Sequence, residues 1–328
     1  MSNVFLRIGL GCLLLLACGY SSNTYAETVW YPLPPEAYQF GKKYPEAQNL
    51  LFAFDYGHAL VYEELLLNVA KIDNPEKFEK DLLSQIIAIL KNPPATKVDE
   101  SDIAPNYVFT FPLALNLLDW SHLLHQFVFD ILVTTPDRGD VLKAKVGAVV
   151  SKYKENSHVV ITDVCKTMQY MDGQRVSKDG QKALKELEVE EGARSYSKAF
   201  RRKFPSFNLL IWSYHWFQIR LYEDLMKSTE KEQSEAVALT VKTFWEMISN
   251  LPESADFDMM PETAKVAPGF AKMFPKLAAS FDTNHSMHDI ISDILVSKLV
   301  INKRNVGMGI ARMARDPEAF RSKECLSQ

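Results

Sequence analysis

Imidazole is the side chain best suited to proton transfer and metal ligation near neutral pH, and the histidines of this chain are few and unevenly placed. Seven occur in 328 residues. Six fall into two columns when the chain is aligned on four aromatic–proline pairs, Tyr44-Pro45, Phe111-Pro112, Phe204-Pro205 and Phe274-Pro275. Ten residues after the prolines stand Asp55, His122, His215 and His285, and thirteen after them stand His58, His125, Gln218 and His288. Eighteen after comes an acid each time (Glu63, Asp130, Glu223, Asp293), and twenty after comes a leucine (Leu65, Leu132, Leu225, Leu295). No copy needs a gap, and only His158 lies outside the columns.

A spacing of three puts both columns on one face of a helix, and helical bundles build metal centres from such pairs on facing helices. Imidazole with carboxylate suits zinc and non-haem iron. The expected ligands are Asp55, His58, His122, His125, His215, His285 and His288. Three residues of helix rise ~4.5 Å, close to the separation of adjacent metals in a dinuclear site. Asp119 and Asp282, one turn before His122 and His285, are placed to accept the second imidazole N–H. Glu63, Asp130, Glu223, Asp293 and Gln218 supply further supporting groups. Copies two and four share Asp-x-x-His-x-x-His, whereas copy one has Asp-x-x-His and copy three His-x-x-Gln. That asymmetry places any open side near Asp55 and Gln218, where a hydrolase or oxidase would need it. The rival reading of the same residues is an envelope lipoprotein for assembly or small-ligand carriage, in which the polar layers only set helix register.

The elements that position these residues are long helices. Proline suits the first turn, where its missing N–H has no partner to lose. Positions 3, 6, 10, 13, 17 and 20 after each proline then trace the seam of a packed helix. Position 6 is apolar (Leu51, Leu118, Ile211, Phe281), and the largely aromatic position 17 (Tyr62, Phe129, Tyr222, with Ser292) reads as core filling. Returning helices fit at 75–91, 141–153, 234–251 and 296–315, with loops at 92–102 and 250–261. The longer interval between copies two and three holds a charged insertion near 158–203, a solvated face or a docking arm for a protein partner. No strand pattern remains. The expected fold is all-α, one domain over 27–328 built from four repeated helical hairpins starting near 45, 112, 205 and 275. Returning partners between the first helices would make those helices parallel.

The first 26 residues read as a secretory signal, with Arg7 before an apolar run from Ile8 to Ala17. Leu14-Leu15-Leu16-Ala17-Cys18 resembles a bacterial lipobox, which implies acylation of Cys18 and attachment to a membrane through the lipid. Thr24-Tyr25-Ala26 offers ordinary cleavage after Ala26 instead. The expected location is periplasmic, outer-membrane-anchored or secreted. Cys165 and Cys325 are the cysteines beyond that segment, too few for a disulfide framework. There is no Cys-x-x-Cys-His for a c-type haem and no nucleotide-binding glycine motif. A net charge of −4 and a pI near 6.0 give no reason to expect nucleic acid.

Overall fold

A residue ahead of proline is pushed out of the helical region by the pyrrolidine ring, and the chain uses that break four times in one way. The structure, a computed structural model, describes residues 37–93, 99–155, 198–249, 260–297 and 302–315. A short helix comes first each time: α1 (Gln39–Lys43), α5 (Pro105–Thr110), α8 (Lys198–Lys203) and α12 (Pro268–Met273). The aromatic before the proline follows, with φ between −122° and −137° and ψ between 46° and 68°. A long helix then runs on from the proline: α2 (Pro45–Asn68), α6 (Pro112–Thr134), α9 (Pro205–Leu225) and α13 (Pro275–Val296). The kink is closed by repeated hydrogen bonds, such as Tyr44 N–H to Phe40 O at 2.8 Å and Phe274 N–H to Phe270 O at 2.8 Å.

Four further helices, α3 (Pro75–Lys91), α7 (Asp140–Lys154), α10 (Glu230–Ser249) and α14 (Lys303–Arg315), pack on α2, α6, α9 and α13 in turn. Their buried positions recur at helical spacing, as with Glu79, Leu82, Ile86 and Leu90 in α3. Two single turns, α4 (Glu100–Ile103) and α11 (Thr263–Val266), and a 3-10 turn at Val69–Lys71 complete the helices among the described residues, where no strand occurs. The chain is all-α. No helix among the described residues is long and apolar enough to cross a membrane. Every described residue falls in the compact unit Pro32–Gln328; the other unit, Met1–Tyr31, lies outside them. The signal segment with Cys18 and the Ala26 cleavage site, the body of the insertion with His158 and Cys165, and Cys325 are likewise outside the described residues.

α13 and α9 each pack against both α2 and α6. The direction of these core helices differs from the parallel arrangement expected. Equivalent positions meet between α2 and α13 (Tyr62 with Ser292) and between α6 and α9 (Phe129 with Tyr222), so each of these pairs is parallel. Early positions meet late ones between α2 and α6 (Gln48 with Gln126) and between α9 and α13 (Tyr222 with Phe281). The bundle therefore holds two helices up and two down.

The cause lies in the acids eighteen residues after each proline. Each caps the short helix leading into a different core helix. Glu63 accepts from the Asn106 and Tyr107 amides of α5, and Asp130 from the Phe40 amide of α1. Glu223 accepts from Gly269 and Phe270 in α12, and Asp293 from Phe200 in α8. A core helix thus begins where its capping partner ends, and must run the opposite way. The exchange is reciprocal, between α2 and α6 and between α9 and α13.

Candidate functional site

Burial normally selects against polar side chains, yet the most enclosed core helix is rich in them. Every residue of α13 from Thr283 to Val296 is buried, and more than half carry polar groups. The two histidine columns stand near the middle of helices 21 to 24 residues long. Mid-helix positions face one another whichever way two packed helices run. The reversal of direction therefore merges the two expected layers into one cluster at the bundle centre.

His58 and His288 stack, with Nε2 of the first 3.1 Å from Nδ1 of the second. The His215 ring lies 4.4 Å from that of His285 and 5.2 Å from that of His288, centroid to centroid. His122 is 6.0 Å from His288, and His125 is 6.0 Å from His285. Asp55 Oδ1 stands 3.9 Å from His122 Nδ1. His285 Nε2 donates to Gln218 Oε1 at 3.3 Å. All seven expected ligands and Gln218 thus share one region. Leu65, Leu132, Leu225 and Leu295, at 0% exposure, close it off toward one end of each helix.

Burial is the first cause of the proton affinities here, and neighbouring imidazoles the second. His58, His125, His285 and His288 are held well below the ordinary histidine value, and His215 is lowered to about 3. The rings are neutral, each with one nitrogen lone pair to give. His122 Nδ1, His125 Nε2, His215 Nδ1, His285 Nδ1 and His288 Nε2 are buried without a hydrogen-bond partner among the described residues. A buried polar atom left unpaired costs about 1–3 kcal/mol, so five at one centre is a large imbalance.

The supporting acids are placed differently from the sequence expectation. Glu63, Asp130, Glu223 and Asp293 bind the backbone amides named above rather than imidazoles. Asp282 accepts from the Thr263 amide at 2.9 Å and from its hydroxyl at 2.7 Å, and burial raises its pKa to about 6. The reason is common to all five: an amide at a helix start is the nearest donor without a partner, and it competes successfully for the carboxylate. Asp119 lies near Tyr107, whose phenol is held well above its usual range first by burial and then by Tyr62, Glu100 and Asp119.

The site also includes tyrosines that the sequence marks only as core filling. Tyr222 makes a short hydrogen bond with His125 Nδ1, and Tyr62 donates to His288 O at 3.1 Å. Tyr214 stands beside Asp55. Burial pushes all three phenols upward, so their hydroxyls stay protonated and can either donate or accept a hydrogen bond. A second aromatic column five residues before each proline (Phe40, Tyr107, Phe200, Phe270) escaped the repeat. Extending the alignment upstream would have found it, since these residues pack under position 17 of the capping helix (Phe40 on Phe129, Tyr107 on Tyr62, Phe270 on Tyr222).

Among the described residues no three His, Cys, Asp or Glu side chains yet stand in ligand geometry around one point. The donor set nevertheless fits a divalent metal: neutral imidazoles with unpartnered nitrogens, and a carboxylate at their edge. The chain matches no protein-family model, and no curated protein or solved structure is significantly similar to it.

Proposed function

We propose that this is an exported, metal-binding helical protein whose bundle core holds zinc or non-haem iron, in a mononuclear or dinuclear site. The observation that carries the reading is the group of five buried imidazole nitrogens without partners at one centre. Asp55, His58, His122, His125, His215, His285 and His288 would hold the metal. Bound there, a zinc or iron ion would supply Lewis acidity, and iron would add redox chemistry. His125 would then carry its proton on Nδ1 and donate it to Tyr222, which fixes the ring's orientation. Gln218 does the same for His285 by accepting from Nε2, leaving Nδ1 free for the ion. The supporting scaffold is four repeated helical hairpins with the insertion near 158–203. Export rests on Arg7 and the apolar run Ile8–Ala17, with lipid attachment at Cys18 or cleavage after Ala26.

Elemental analysis of the purified protein tests the metal. We expect about one to two equivalents of zinc or iron, abolished in the His122→Ala/His285→Ala double variant, and a melting temperature lowered by chelator. A metal-free protein whose melting ignores chelator would instead establish the second reading, an envelope assembly or carrier protein with a purely architectural polar core. That reading is favoured by the side-chain pairs already formed, His58 with His288 and His285 with Gln218. Mass spectrometry of the mature N-terminus decides between acylated Cys18 and Glu27.

A further inference from the structure

Resting on the metal reading, we propose that the site has one open side, at the Asp55–His122 pair, and that a guest no larger than a triatomic anion reaches the metal there. Of the seven ligands, only these two keep appreciable exposure, with side chains 12% and 14% exposed, while the five others are 1–7% exposed. Two pockets meet at this pair and share no other residue. The larger, of about 30 Å³, is walled by Phe52 and Leu123 and has His125 and Gln218 on its lining. The smaller, of about 10 Å³, touches His58 and His288. A water needs roughly 10–15 Å³ in this measure, so the larger pocket takes about two water-sized groups and the smaller takes one.

Two atoms point to occupancy by something polar. His125 Nε2 and His122 Nδ1 are both buried and unpartnered, and both belong to residues that line the larger pocket. The His125 side chain is 1% exposed, so bulk water does not satisfy it. Leu51, Phe52, Leu123 and Phe129 also line this pocket, and its small volume admits a compact guest and excludes a hydrated chain. The guest class is therefore water, hydroxide or a small linear anion bound end-on. Sugars, peptides and nucleotides do not fit this space. An open position of that kind is what separates a reactive centre from a structural one.

Cobalt(II) loading with azide as the probe tests this. The full chain is expected to take up cobalt and to show visible bands that shift saturably with azide. Leu123→Phe fills the larger pocket from α6, and it is expected to keep its cobalt while azide binds at least about tenfold more weakly. Phe52→Trp narrows the same space from α2, so the outcome does not depend on one variant folding. Cobalt bands that azide leaves unmoved, or filled variants that respond like the parent, would overturn the open side alone. A chain that takes up no cobalt would overturn the metal reading and this inference together.

Discussion

His58, His125, His215, His285 and His288 all bind a proton less readily in the fold than in the unfolded chain, because burial leaves the imidazolium without water. Each therefore adds stability that is fully present above about pH 6.5 and is lost as pH falls below it, at about 1.4 kcal/mol per pH unit and proton. The loss continues down to about pH 3 for His215. Acids shifted upward act in the opposite sense. Glu79, raised to about 7, and Asp282, raised to about 6, add stability that is lost as pH rises through those values. Asp130 and Asp224 are raised by burial as well, and the five histidines still outnumber these four acids below pH 6.5. The chelated protein is thus expected to melt at steadily lower temperature from pH 6.5 to 5, with uptake of several protons; a flat profile would show that the rings are hydrated. Tyr222→Phe removes the partner of His125 Nδ1 and is expected to cost about 1–2 kcal/mol in denaturant unfolding.

Among elements, the acid-to-short-helix clasp carries the most specific expectation. Glu63→Ala leaves the buried Tyr107 amide unpaired and returns the exposed Asn106 amide to water, which costs about 1–3 kcal/mol. Glu235→Ala, on the exposed face of α10 beside Lys231, is expected to change stability by less than about 0.5 kcal/mol. Urea unfolding of the two variants side by side measures the difference. Contact between α2 and α3 depends on Gly57, where an added Cβ would meet Ile86 Cγ2 at 2.8 Å. Gly57→Leu is accordingly expected to destabilise by about 1–3 kcal/mol through overpacking, read as a lower melting temperature. The helices themselves were legible in the sequence because proline and 3.6-residue periodicity act locally. The short helices were not, since four to six residues carry too little periodicity to register and are held by acids far away in sequence.

For the whole molecule, helix direction is the testable property. α2 has 24 residues, about 36 Å of rise. Spin labels at Glu46 and Lys276, near the starts of the parallel helices α2 and α13, are expected to lie closer together than labels at Glu46 and Ser206, since α9 starts at the opposite end. Equal separations would restore the parallel bundle.

The spacing of Asp55, His58, His122, His125, His215, His285 and His288 determined which residues share a helix face, because neighbours along a helix are fixed by its pitch alone. Composition and pattern likewise determined that the chain is helical, with no strand among the described residues. Tertiary structure decided which way the core helices run, that Glu63, Asp130, Glu223 and Asp293 cap amides instead of holding imidazoles, and that tyrosine hydroxyls reach the cluster. Those outcomes turn on which donor and acceptor arrive first at one point in space. That competition involves residues tens to more than two hundred positions apart, and no local periodicity records it.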